Sequence, residues 1–217
     1  MASRNWDNLW QNDQSLLLWS KPDNGVKEVI PKLKHENVTK VMDLGFGLGR
    51  HVVLLAKEGF DTYGIEGAES GVNYCRMWLK AESLQASISQ GDMSVIPYAD
   101  GFFDFVLSWN VVYHAAFEKM KTTLGEIHRV TRDDGFLYLP LNSTRNSYYG
   151  KGTEIEPRTF RNPEKSDGEH LHHYSDQEEV RRLLRDWHII SVKEEEESLS
   201  GRHFPDSWHW MIFARKA

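Results

Sequence analysis

The chain has 217 residues, of which 40% are hydrophobic, and it carries a formal net charge of -6 at pH 7. This length is enough for one well-buried α/β core and small for two, so a single domain over residues 1–217 is expected. The acidic balance gives no general attraction to nucleic-acid backbones or anionic membranes, which argues against both as partners.

Residues 1–24 contain three tryptophans, Trp6, Trp10 and Trp19, among polar residues. Trp6 and Trp10 are four residues apart, so a helix would place both indoles on one face. Two interpretations are open at this point. Either the segment docks a terminal helix onto the core, or it is a lid that closes over a bound ligand and excludes water. The lid hypothesis makes Trp10 and Trp19 candidate substrate contacts.

The next two segments predict a helix and a buried strand. Residues 25–34 have apolar positions at helical spacing, although Pro31 is expected to shorten or kink the helix. Residues 38–44 form a short apolar run that is typical of a buried parallel strand. The run is followed by three glycines at alternate positions, Gly45, Gly47 and Gly49.

The glycine turn between this strand and the next helix predicts a ligand site. Glycines reach backbone dihedrals that are closed to other residues, and they leave no side chains between the turn and a ligand. The following helix directs its first N–H groups to the same place. Arg50 stands where a dinucleotide fingerprint needs a small residue, which disfavours a nicotinamide cofactor, and no P-loop string occurs. Asp43, which precedes the turn, favours a ligand with positive charge.

Residues 41–50, VMDLGFGLGR, resemble motif I of the class I S-adenosylmethionine-dependent methyltransferases. That motif often has a small residue where this chain has Phe46, a difference in side chain at a turn expected to use backbone atoms. The pattern W-D-x-x-W followed by W-x-K-P resembles the N-terminal segment of small-molecule members, which favours the lid hypothesis for residues 1–24. The resemblance implies cofactor contacts from Asp43, Gly45, Phe46, Gly47 and Gly49.

Two further acids extend the predicted cofactor site. Glu66 ends a second predicted strand, 23 residues after Asp43, where its carboxylate can accept hydrogen bonds from both ribose hydroxyls, with Gly67 beside it. Asp92 stands at the acid of motif III in the family that the chain resembles. A carboxylate there accepts from the adenine amino group, and the apolar Met93 supplies a dry face for the ring.

The segment after the fourth predicted strand supplies the candidates for catalysis. Ligands of open α/β sheets lie beyond the carboxyl ends of the strands, so residues 109–114 are expected to face cofactor or substrate. Trp109 and Asn110 are predicted to flank the cofactor. Tyr113 and His114 are the candidate catalytic residues, with His114 as a general base or a substrate hydrogen-bonding group, and a structural role is the alternative for both.

Residues 142–174 form the least regular segment, too long for an ordinary connection, and are expected to fold over the substrate as an insertion. A metal site at its histidines, His170, His172 and His173, is disfavoured because adjacent histidines point in different directions. No metal is therefore predicted. The candidate substrate contacts of the segment are Arg145, Tyr148, Tyr149, His172 and His173.

The alternation of strands and helices predicts an α/β fold with a Rossmann-like, doubly wound, mostly parallel sheet. Two late segments, residues 187–198 and 209–217, have strand character and no helix between them, so they are expected to be antiparallel. A seven-stranded sheet with one antiparallel C-terminal strand is the methyltransferase topology. The resemblance therefore covers nearly the whole chain.

The sequence thus predicts an enzyme that transfers the methyl group of S-adenosylmethionine to a small-molecule acceptor by in-line displacement, leaving S-adenosylhomocysteine. The alternatives are a non-catalytic protein that binds S-adenosylmethionine or another adenosyl ligand and, less favoured, a nicotinamide-dependent oxidoreductase. The single cysteine, Cys75, and the polar N-terminus favour a cytoplasmic protein without a signal peptide or a membrane span. The acceptor and the oligomeric state are not predicted.

Overall fold

A seven-stranded sheet is the centre of the computed structural model, which describes residues 2–11, 19–163, 170–199 and 202–217. The strand order across this sheet is β3-β2-β1-β4-β5-β10-β9. The strands are β1 (Lys40–Leu44), β2 (Asp61–Glu66), β3 (Ser87–Gln90), β4 (Phe103–Leu107), β5 (Thr131–Asn142), β9 (Trp187–Leu199) and β10 (Arg202–Lys216).

One strand of the sheet runs against the others. Strands β3, β2, β1, β4 and β5 pair in parallel, whereas β10 is antiparallel to both β5 and the edge strand β9. The predicted fold class, a doubly wound and mostly parallel sheet with one reversed C-terminal strand, is confirmed.

Six helices accompany the sheet in the described part of the chain. Each strand of the parallel series is preceded or followed by one of them, and no helix lies between β3 and β4. No helix within these ranges combines the length and the apolar composition that crossing a membrane requires. The helices are α1 (Ala2–Trp10), α2 (Asn24–His35), α3 (Arg50–Lys57), α4 (Glu69–Ala81), α5 (Phe117–Val130) and α6 (Gln177–Leu183).

Both faces of the sheet are buried, as the apolar character of its strands requires. Successive residues of a strand point to opposite faces. In β1, Val41 belongs to the apolar cluster that contains the α2 residues Val26 and Ile30, whereas Met42 belongs to the cluster that contains the α5 residue Leu124. This double burial keeps the strands apolar throughout and leaves their carboxyl ends as the place for polar functional groups.

The proline in α2 does not shorten the helix, so this part of the prediction is wrong. Pro31 lies inside α2, which continues to His35. The residues on either side of it, Ile30 and Leu33, are buried against the sheet together with Val26. Each buried aliphatic side chain contributes roughly 1.5–3 kcal/mol, so this face outweighs the backbone hydrogen bond that proline removes.

The insertion has more regular structure than its sequence predicts. A small antiparallel sheet forms from β6 (Thr153–Glu156), β7 (Thr159–Arg161) and β8 (Leu171–His173). Residues 164–169 of the predicted insertion, and residues 12–18 of the predicted lid, lie outside the described residues. Asp176 caps α6 by accepting from the N–H of Glu179, and residues 133–135 form an irregularity within β5.

Candidate active site

The turn after β1 has the close-packed backbone that its glycines predict. Gly45, Gly47 and Gly49 have φ angles of 74°, 57° and 89°, a region that costs other residues strain. A Cβ atom at Gly49 would lie 2.2 Å from Sγ of Cys75, and one at Gly45 would lie 2.4 Å from a methyl carbon of Val111. Val111 lies in the stretch 109–114 that was predicted to face cofactor or substrate, but its contact with Gly45 was not predicted, because nothing local marks it as the contact of a residue 66 positions earlier.

Asp43, the acid in front of this turn, is almost completely buried, with 1% of the residue exposed. Among the described residues, no donor makes a hydrogen bond of good geometry to either carboxylate oxygen, although the backbone N–H of Val52 is close enough to lower the pKa. Burial raises the pKa of Asp43 from 3.8 to about 7, and the Arg50 guanidinium opposes that rise. The side chain is therefore a buried acceptor available to a cation or a donor group.

Arg50 begins α3 directly after the turn and is itself buried. Its guanidinium donates to the carbonyl of Lys21 at 3.3 Å and lies 5.1 Å from the centre of the Trp19 ring. The side chain of Trp19 therefore packs beside the start of α3. Nearby, burial raises the pKa of Asp23, and Arg50 acts against it. One buried cation thus lies near two acids, the buried Asp43 and the half-buried Asp23, and a cationic ligand would relieve that imbalance.

Glu66, at the end of β2, links two backbone segments. Its carboxylate accepts from the N–H of Gly47 at 2.7 Å and from the N–H of Ala68 at 2.8 Å. Burial raises its pKa, and these two N–H groups oppose the rise. Gly67 follows, and its carbonyl accepts from the side chain of Gln90 at 3.0 Å. The carboxylate therefore holds the glycine turn in place, a role that the sequence did not reveal, and each oxygen keeps a lone pair for a hydroxyl.

Phe46 contributes its backbone to the turn and its side chain to the core. The ring is buried in a cluster with Val52 and Val72, and it lies so close to Gly64 that a Cβ atom there would be 2.6 Å from it. The absent side chain at Gly64 makes room for the ring. The predicted cofactor contact of Phe46 is therefore limited to main-chain atoms.

The predicted adenine contacts, Asp92 and Met93, differ in their exposure to solvent. Asp92 is exposed, and it accepts from the backbone N–H of Ser94 at 2.8 Å and pairs with Nζ of Lys119 at 2.6 Å. Partial burial raises its pKa, but the hydrogen bonds from Lys119 and Ser94 outweigh this and lower the pKa to about 2. The three donors on Asp92, namely the N–H and hydroxyl of Ser94 and the ammonium of Lys119, leave one acceptor position of its carboxylate for an adenine amino group. Met93 is half-buried against the main core.

Helix α1 covers the glycine turn. A Cβ atom on Gly47 would lie 3.0 Å from the ring of Trp10, which is 8% exposed. Asp7 accepts from the backbone N–H of Ser70, at the start of α4, at 2.9 Å, and the Trp6 and Trp10 rings stack with centroids 5.7 Å apart. The first helix is therefore docked on the core, which is one of the two interpretations of residues 1–24. It docks against the glycine turn, where the other interpretation, a lid, requires the ligand to bind.

The residues after β4 divide between two locations. Trp109 packs in the apolar cluster of α2, with its ring 5.1 Å from that of Tyr138, and its position beside the cofactor stays a prediction. Asn110, at a φ of 59°, donates to Oε1 of Glu197 at 2.9 Å. Its side chain is therefore engaged by β9, and its neighbour Val111 takes the position against the turn.

Tyr113 and His114 belong to a group of rings that we call the imidazole cluster, composed of Tyr113, His114, His170, His172 and His209. The His114 and His172 rings have centroids 4.6 Å apart. The hydroxyl of Tyr113 lies 3.5 Å from Nε2 of His209. The sequence predicted all of these rings as site candidates except His209, which lies in β10, far from the motif in the chain.

The remaining predicted substrate contacts of the insertion are not members of the imidazole cluster, and each has other partners. His173 uses both ring nitrogens, on Oγ1 of Thr159 at 2.8 Å and on Oε2 of Glu179 at 2.9 Å, so a substrate bond through either would break one of these. Arg145 lies 3.8 Å from the Trp208 ring centre and pairs with Glu194 at 2.9 Å. The tyrosines are also engaged: Tyr148 lies under Lys151, and Tyr149, 40% exposed, packs on Phe160 and Tyr174.

Part of the chain is similar to a known protein family and to a curated protein. Residues 42–139 match the model of a family described as a methyltransferase domain. A protein of Geobacillus sp. (strain WCH70) that is named as a methyltransferase is 23% identical over 123 residues, which are 55% of this chain and 49% of that protein. The chain thus spans about half the length of the curated relative that it matches.

Solved structures are similar over a larger share of the chain. An S-adenosylmethionine-dependent methyltransferase from Methanosarcina mazei is 20% identical, with a TM-score of 0.71, over 85% of this chain and 96% of that chain. One from Clostridium acetobutylicum is 12% identical, with a TM-score of 0.72, over 97% and 98%. The 1,6-didemethyltoxoflavin-N1-methyltransferase of Burkholderia thailandensis, solved with 1,6-didemethyltoxoflavin and S-adenosylhomocysteine, is 16% identical, with a TM-score of 0.70, over 100% and 88%. At these identities the likeness shows the fold.

Proposed function

We propose that this chain, which carries the methyltransferase domain and the fold of the class I S-adenosylmethionine-dependent enzymes, transfers the methyl group of S-adenosylmethionine to a small-molecule acceptor. The domain and the fold are those that the sequence predicted. The family match covers residues 42–139. We further propose that residues 1–217 form one catalytic unit, with residues 1–24 as a lid and residues 142–174 as an insertion over the substrate.

The residues at the glycine turn fit this cofactor. The observation that carries the proposal is Asp43, a buried carboxylate whose two oxygens have no hydrogen bond of good geometry among the described residues. S-adenosylmethionine carries an ammonium and a sulfonium group, and either would compensate such a charge directly or through water. The glycine turn, which Glu66 holds through Gly47, suits the methionyl part, and the acceptor capacity that remains on Glu66 suits the ribose.

The bound cofactor supplies a methyl group that is already activated by its sulfonium sulfur. The chain has therefore mainly to hold donor and acceptor in line and to exclude water. Glu66 fixes the turn through Gly47, and α1 covers the turn through Trp10. In this proposal Tyr113 and His114 of the imidazole cluster, whose rings are neighbours, contact the acceptor and take a proton where the acceptor has one to lose.

A small-molecule acceptor is favoured over a macromolecule by two observations. The net charge of -6 gives no basic surface for nucleic acid. The B. thailandensis neighbour, with the same fold, is named for methylation of a small molecule. We also propose that the protein works in a reducing cytoplasm, with which its single buried cysteine, Cys75, is consistent.

Two measurements test this function. Isothermal titration calorimetry with S-adenosylmethionine, S-adenosylhomocysteine and NADH is expected to show binding of the two adenosyl sulfur compounds only. An acceptor panel of phenols, amines, thiols, carboxylates, halides and metalloids is then scored by release of S-adenosylhomocysteine. Absence of binding to both adenosyl compounds refutes the proposal. Tight binding with no turnover on any acceptor favours the non-catalytic alternative, and preference for NADH favours an oxidoreductase.

A further inference from the structure

The Trp6 indole occupies a slot between two rings of the imidazole cluster. Its ring is stacked on His170, with centroids 4.1 Å apart and an interplanar angle of 22°. His114 meets the same indole edge-on, with centroids 5.1 Å apart and an angle of 81°. The slot therefore accommodates a planar bicyclic ring with one stacked and one perpendicular neighbour, a favourable arrangement for aromatic contacts.

This slot is one ring away from the glycine turn. Trp10 lies against Gly47, and Trp6 stacks on Trp10. A planar molecule in the place of the Trp6 indole would consequently lie beside the residues that we assign to the cofactor. An acceptor atom has to be within reach of the cofactor's methyl group, and a slot separated from the turn by a single ring is a suitable place to look for it.

The indole that fills the slot comes from a peripheral helix. Helix α1 is fixed by the bonds of Asp7 to Ser70 and by the packing of Trp10, whose indole N–H has no hydrogen-bond partner among the described residues. The other walls of the slot come from outside α1: His114 follows β4 of the main sheet, and His170 leads into β8 of the insertion's small sheet. Removal of Trp6 would therefore empty the slot and leave its walls in place.

We propose that the methyl acceptor is a planar aromatic or heteroaromatic molecule with an ionisable N–H or O–H, and that it binds in place of the Trp6 indole against His170 and His114. This inference rests on the proposed function. In the transfer, the acceptor's nitrogen or oxygen forms a bond to the methyl carbon as the carbon–sulfur bond of the sulfonium breaks, and the sulfur keeps the electron pair. The acceptor's proton passes to an imidazole of the cluster, for which neutral histidine is suited near pH 7.

A binding experiment tests the slot without methyl transfer. Trp6→Gly is titrated with indole and with 4-hydroxyquinoline, because a cavity left by an aromatic ring binds planar molecules of its size. Trp78→Gly, which removes a tryptophan from α4 away from the slot, is the matched control. We expect both probes to bind Trp6→Gly at least about tenfold more tightly than the wild type and Trp78→Gly. Equal affinities in the three proteins would overturn the inference, and a thermal melt confirms that each variant is folded.

A second arm uses the complete wild-type protein with S-adenosylmethionine carrying a labelled methyl group. Hydroxyquinolines, benzimidazole and xanthine form one acceptor set, and 2-mercaptoethanol, dimethylamine and iodide form the other. Labelled product in the planar set supports the inference, and labelled product in the second set alone overturns it while the methyltransferase function stands. If neither set is methylated although S-adenosylmethionine binds, the result counts against the proposed function, and the Trp6→Gly titration decides on the slot.

Discussion

Replacement of Asp43 by asparagine is expected to stabilise the ligand-free protein in a pH-dependent way. The pKa of this buried carboxyl is raised from 3.8 to about 7. Because the folded state holds the proton more tightly than the unfolded state does, stability falls as the pH rises between about 4 and 7 and is then constant. At roughly 1.4 kcal/mol per pKa unit, the ionised carboxylate costs the folded protein about 4 kcal/mol above pH 7. Asparagine cannot ionise and escapes this cost.

Urea unfolding of wild type and Asp43→Asn near pH 5 and near pH 8 measures the effect. Of the total, about 3 kcal/mol falls between these two pH values, so the difference in free energy of unfolding between variant and wild type should grow by that amount. The difference isolates Asp43, because the other titrating groups are common to both proteins. Asp133→Asn, which removes an 89% exposed side chain, should show no such growth. A difference that stays constant within 1 kcal/mol, as a rough margin, would refute the assignment of the raised pKa to Asp43.

Three further predictions separate binding, catalysis and folding. Glu66→Ala should weaken S-adenosylmethionine binding in calorimetry by about tenfold or more relative to Glu66→Gln, which keeps one acceptor oxygen, and equal affinities would contradict the ribose and turn-holding roles. Gly49→Ala should lower the free energy of unfolding by about 2 kcal/mol or more, because of its φ of 89° and the Cys75 sulfur 2.2 Å from the new carbon, and an unchanged melting temperature would count against this packing. His173→Ala should lower the free energy of unfolding by roughly 2–4 kcal/mol and leave cofactor affinity unchanged, because it breaks two buried hydrogen bonds. His114→Ala should lower kcat by about 10²-fold and leave stability nearly unchanged. The reverse pattern would exchange the roles of the two histidines.

The sheet and the glycine turn could be predicted because their signals are local. A buried strand is apolar at every position when both faces are covered, as Val41 and Met42 show. The turn must use glycine, since Gly49 has a φ of 89°. The reversed strand β10 also followed from a local fact, the absence of a helix between the last two strands, because a parallel pair needs a long crossover.

The contacts that complete the site could not be predicted, because they join residues that are distant in the chain. Nothing near Glu66 indicates that its carboxylate holds Gly47. The size of Phe46 is explained only by Gly64, which faces it from β2. His209 belongs to an apolar strand, and only the pairing of β10 with β5 brings it to Tyr113. Such information requires strand order and register, which single-residue patterns do not contain.

The spacing of Trp6 and Trp10 joins the cofactor side and the acceptor side of the site. Residues four apart lie on one helix face, and here one indole covers the glycine turn while the other fills the slot beside His170. Because both indoles belong to one short helix, displacement of α1 by either ligand uncovers the binding place of the other. The free energy needed to release α1, chiefly that of the Asp7–Ser70 bonds and the stacked rings, then lowers the affinity of the first ligand only. Ligands that share such a cost bind with positive coupling, as thermodynamic linkage requires.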